Sequence, residues 1–263
     1  MAQQVAGSAG KPGVEATLLA NEADTAAYSG RLRSAREFSR RAVDSADRAQ
    51  EKEAAAMYSA LSGLREALFG NADEARRRAA LAMKHPAGRD VQYGSALALA
   101  YAEDDGRAQA LTVDLGKSFP EATIVQFNCL PTLRAKLAVS RGNASEAIES
   151  LRAATPYELG LTTHSTYGWN AMYPVFVCGE AYLAAHQGNE AAAEFQKILD
   201  HRGIVLNKPI GALAHLQIGR AYALQGDTAK AKAAYQDFLT LWKDADPDIP
   251  VLKEAKAEYA KLQ

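Results

Sequence analysis

A small residue that keeps returning constrains this chain more than anything else. Ala35, Ala75, Ala108, Ala147, Ala191 and Ala231 each follow a corner. The corners are Gly30, Gly70-Asn71, the Glu103-Asp104-Asp105 stretch, Gly142-Asn143, His186 and Gly226-Asp227. The alanines are spaced by 40, 33, 39, 44 and 40 residues. Ala212 to Leu241 shows the unit most clearly. It reads as two amphipathic helices joined at Gly226-Asp227. Glycine takes the left-handed conformation that ends a helix, and Asp227 accepts the free N–H groups that open the next. Gly219 and Ala231 let the two helices approach, and Tyr222 and Tyr235 fill the space around them. A unit of this kind cannot bury its apolar face alone, so the pattern requires a stack.

The run Ile218-Gly219, Tyr222, Gly226, Ala231, Tyr235 resembles the tetratricopeptide repeat, with Gly179, Tyr182, Ala191 and Phe195 as a second instance. The resemblance implies an all-α chain: a right-handed α-solenoid of about six helix hairpins plus a C-terminal capping helix.

Composition agrees. The chain has 263 residues, 48% hydrophobic and 23% charged, with a net charge of −1. Near-neutral charge offers no global basic field for nucleic acid. No apolar stretch approaches the roughly 20 residues of a membrane-crossing helix. Residues 1–13 have no signal-peptide middle, so the expected location is cytoplasmic unless the chain is a fragment of a membrane-anchored parent. Cys129 and Cys178 fall in apolar helical stretches and read as free thiols.

Along the chain, residues 1–13 form a loose lead-in and residues 14–263 a single repeat domain. Asn71 with Glu74, and Asn143 with Glu146, have the spacing of a capping box. Pro120 falls where a second helix should stop, and Pro131 should kink or divide a first helix. The stretch 156–170 has no helical period. Val251 to Leu262 reads as the capping helix over the exposed end of the stack.

The chain carries no zinc signature, Cys-x-x-Cys pair, nucleophile elbow or dinucleotide fingerprint, so the expectation is a non-enzyme without cofactor or metal. The run Arg76-Arg77-Arg78 is either a solvated face or an anion site. In the family, first helices line a concave face, which implies a groove here. Alignment places Tyr93, Leu97 and Tyr101 in it, then Cys129, Thr132 and Lys136, then Tyr173, Phe176 and Glu180, and finally Leu216, Gln217 and Arg220. Tyr157, Tyr167, Trp169 and Tyr173 add aromatic rings around the long loop. Such rings suit recognition, although Trp169, Tyr173 and Phe176 equally suit packing between two units. The binding set is Tyr93, Lys136, Trp169, Tyr173, Phe176 and Arg220. The Lys/Asn/Arg clamp for a C-terminal carboxylate is missing, since its positions hold Ala20 and Asp24, or Phe176 and Glu180.

The segments GRLRSAREFSRRAVDSA, AAAEFQKILDHRGIVLNKPIGALAHL and AYQDFLTLWKDADPDIPVLKEAKAEYAKL also resemble the C-terminal repeat regions of bacterial eukaryotic-like serine/threonine kinases and related multidomain regulators. The kinase signatures themselves are absent. The resemblance implies a docking or recruiting scaffold for a protein or peptide segment within a signalling protein. The alternatives are a small-ligand sensor closed by loop 156–170, or a structural or oligomerisation spacer.

Overall fold

The structure, a computed structural model, describes residues 7, 11, 13–84, 87–160 and 172–263. It is all-helical, with no strand among the described residues. Six hairpins follow one another. They are α1 (Val14–Tyr28) with α2 (Leu32–Arg48), α3 (Lys52–Leu68) with α4 (Ala72–Ala82), and α5 (Arg89–Tyr101) with α6 (Asp105–Ser118). Then come α7 (Leu130–Ser140) with α8 (Ala144–Leu151), and α9 (Tyr173–Ala184) with α10 (Gly188–Asp200). A short α11 (Arg202–Val205) leads into α12 (Pro209–Leu224) with α13 (Thr228–Leu241), and α14 (Pro250–Ala260) ends the chain.

One backbone device makes all six corners. Gly30, Gly70, Glu103, Gly142, His186 and Gly226 each have positive φ. At each, the corner N–H donates to the carbonyl three residues back and the next N–H to the one five back. Gly226 N–H reaches Ala223 O at 3.0 Å and Asp227 N–H reaches Tyr222 O at 3.0 Å. The pair recurs at Gly142 and Asn143, and at His186 and Gln187. This double bond caps the orphan carbonyls of the finished helix and turns the chain. Glycine reaches that conformation without strain, so Glu103 and His186 carry a cost that the other corners avoid.

The next helix starts at once. Asp104, Asn143 and Asp227 each accept the backbone N–H three residues on. Asn71 does not, contrary to the capping-box spacing. Its amide donates to Glu66 instead, and Glu74 is taken by Arg77 and Arg78.

The six alanines are all fully buried. Each lies five residues after its corner, on the second helix. Seven residues before each corner the first helix carries Ala23, Gly63, Ala96, Ala135, Gly179 or Gly219, again small and buried. A Cβ at Gly219 would stand 2.9 Å from the Tyr235 ring, and one at Gly179 only 2.5 Å from the Phe195 ring. In these two hairpins the ring of the second helix therefore packs directly on the glycine of the first. Ala231→Leu should overpack this crossing and cost about 1–3 kcal/mol. The same change at exposed Lys256 should cost almost nothing, and paired thermal melts of the two variants would check it.

Pro131 distorts its helix without stopping it. The backbone stays helical from Thr123 to Ser140 and passes through a π turn, Val125–Cys129, just before Pro131, so the wider turn takes up the place of the hydrogen bond that Pro131 cannot make. Pro120 follows the end of α6.

Each hairpin packs on the next, and the first also meets the last, through α1 against α12. The segment after α13 completes that meeting. Trp242 is buried against Phe69, ring centroids 5.0 Å apart, and its indole N–H donates to Tyr28 O at 3.0 Å. Asp246 N–H donates to Gly30 O at 3.0 Å, while its carboxylate accepts Arg33 N–H at 2.7 Å. Val251 N–H donates to Phe69 O at 3.3 Å. The expected capping helix is therefore a tie from the sixth hairpin to the corners of the first two, and does not merely cover a free end.

Candidate functional site

The positions expected to line a groove come together on one side of the first helices, but most are buried there. Tyr93, Tyr173 and Phe176 are at most 3% exposed, and Leu97, Thr132 and Leu216 are fully enclosed. This corrects the reading of an open groove lined by these side chains. Because the first and sixth hairpins meet, the inner face has become core. The Phe176 and Phe195 rings pack edge to face at 5.5 Å, a contact inside the fifth hairpin. Burial pushes the Tyr93 and Tyr173 phenols well up, so neither ionises near neutral pH. Trp169, Tyr167 and most of the 156–170 stretch lie outside the described residues.

Two polar clusters stand on the inner face. In the first, Glu180 of α9 accepts from Tyr101 OH at 2.9 Å and from Lys136 Nζ at 3.0 Å. The Lys136 ammonium sits 3.9 Å from the centre of the Tyr101 ring. Three consecutive first helices thus converge on one carboxylate, and sequence alignment had placed all three groups on this face. Burial, and then the Glu180 charge, push the Tyr101 phenol well up. The second cluster was not foreseen. Asp24 of α1 takes Arg65 of α3 at 2.5 Å and Lys208, just before α12, at 2.6 Å. Arg65 also donates to Ser39 at 2.7 Å. All four are buried. Burial alone would raise the Asp24 carboxyl, but the Lys208 and Arg65 charges outweigh it and hold the group below the usual carboxylate range.

Arg220 is committed elsewhere. Its guanidinium bonds Glu258 at 2.9 Å and Glu254 at 3.3 Å, both on α14, and Glu258 also accepts from Tyr235 OH at 2.8 Å. It anchors the last helix and is not open to a partner. The Arg76-Arg77-Arg78 run resolves as a solvated face, each guanidinium paired with Asp73 or Glu74 of its own helix.

Among the described residues, an exposed aromatic surface lies on the fourth hairpin. Phe127, in the π turn, stacks on Tyr157 at 5.2 Å with the planes 28° apart. Phe127, Tyr157 and Leu159 are 42%, 39% and 45% exposed. The π turn puts an extra residue into each backbone loop and so re-aims side chains, a distortion frequent at functional sites. Sequence reading had singled out Tyr157 for the aromatic cluster but not Phe127, because a helical register through Pro131 gives no hint of a π turn.

No described helix is long and apolar enough to cross a membrane. No protein-family model and no curated protein matches the chain.

Proposed function

We propose that the chain is a non-catalytic interaction module, a right-handed stack of tetratricopeptide type, that holds a protein or peptide segment against the Phe127–Tyr157 ledge. The stacked, solvent-facing ring pair is the observation that carries this reading. Two rings held in contact offer broad apolar area with few rotors to freeze, which is what an anchor site for a partner provides. The six like hairpins are rigid supports for such a site, as in other helical-repeat scaffolds. The resemblance to kinase-associated repeat regions makes the module a recruiting element of a larger signalling protein.

The test is an affinity capture with the full chain as bait, alongside the double variant Phe127→Ala/Tyr157→Ala. Both rings are exposed enough that the variant should melt as the parent does. Loss of the captured segment with melting unchanged is the expected result. Equal capture by both baits would sink the reading.

A further inference from the structure

The strongest second surface lies over α3. Helices α2 and α4 both pack on α3 and leave a trough between them. Its cavity is about 280 Å³, with Ala55, Ala56 and Ser59 on the floor and Val43, Arg78 and Leu81 on the walls. The lining follows helical spacing: Lys52, Ala55, Ala56 and Ser59 form one stripe of α3, and Leu81 lies one turn from Lys84.

Small residues set the floor low, and Val43 with the 45%-exposed Leu81 makes the walls apolar. Charge is arranged along the length. The antiparallel run of the helices brings Lys52 and Lys84 to the same end, each one turn beyond the apolar middle. No ion pair is formed by either lysine among the described residues, whereas Arg78 at the other end is bound to Glu74. The lining holds one carboxylate, Asp47, at the same end as the two lysines, so the lining there carries a single net positive charge.

We propose that this trough docks an acidic amphipathic helix from a protein partner. Its apolar side chains enter over Ala55 and Ala56, beside Leu81. Its carboxylates, one turn from the apolar anchors, face Lys52 and Lys84. Helix-in-groove recognition of this kind is read through anchors at one-turn spacing, and the rim charges select the partner's sign. The proposal stands apart from the aromatic ledge, which is on another hairpin.

The probe is a fluorescein-labelled amphipathic helical peptide with leucine anchors and glutamate one turn away, compared with a twin carrying lysine for every glutamate. Fluorescence anisotropy with the full chain should show the acidic peptide bound and the basic twin not. Lys52→Glu/Lys84→Glu should weaken the acidic peptide roughly tenfold, since two exposed attractions become repulsions. Raised salt should weaken it as well. Both lysines are exposed, so this variant should fold, and its melt confirms that. Phe127→Ala/Tyr157→Ala should bind the acidic peptide as the parent does. No binding, equal binding of the two peptides, no response to charge reversal, or loss on changing the ledge would each overturn the assignment.

Discussion

Asp24→Ala should lower the stability of the chain by about 3–5 kcal/mol, because it leaves Arg65 and Lys208 in the interior without the carboxylate between them. The cost is that of uncompensated charge rather than of lost attraction. A second variant separates the two. Asp24→Leu/Arg65→Met/Lys208→Met removes all three charges and keeps the volume, and it should recover most of the loss. Urea unfolding of both would decide it; equal destabilisation by both would show that shape, not charge, governs the site. The pH dependence has a definite sign. The folded Asp24 carboxyl titrates below its ordinary value, so its contribution is complete above the unfolded carboxylate range near pH ~4. It is lost as pH falls through the still lower folded value. The parent should therefore shed this stability only in acid, and the Leu/Met/Met variant should not show that loss.

Trp242→Ala should be comparably severe, about 3–5 kcal/mol, as for other buried aromatics cut to alanine. The indole touches Phe69 of the second hairpin and Phe238 of its own, at centroid distances of 5.0 Å and 4.7 Å. It also donates to the first hairpin through Tyr28 O. One side chain thus joins three hairpins. Trp242→Phe keeps the rings packed but removes the indole N–H, and should cost roughly 1 kcal/mol. A Trp242→Ala loss no larger than that of Trp242→Phe would mean that the first and last hairpins do not depend on this tie.

The repeat was legible because it is written in small residues. A corner needs positive φ and a close crossing needs Gly or Ala, and both requirements act on sequence neighbours. Even Glu103 and His186, which are poor corner residues, could be located from the alanines five positions on. The ring closure was not legible. It depends on Asp24, Lys208, Asp246 and Trp242, each of which has an ordinary local reading as a surface charge or an end-of-repeat aromatic. Nothing in a repeat period tells how far successive hairpins rotate, and that rotation decides whether the inner face is a groove or a core. Tyr93, Tyr173 and Phe176 were therefore placed on the correct face and given the wrong surroundings. Phe127 escaped for a different reason: a π turn shifts the register by one residue, which no 3.6-residue periodicity anticipates.

Amide hydrogen exchange at Asp246 and Val251 tests the closure most directly. Val251 lies in the first turn of α14, so its N–H has no acceptor within its own helix, and its bond goes to Phe69 O. The Asp246 N–H goes to Gly30 O, across from the far end of the chain. Both amides should exchange slowly, and Trp242→Ala should speed them before the helices themselves open. Exchange of both at the rate of an unprotected loop in the intact chain would contradict the account.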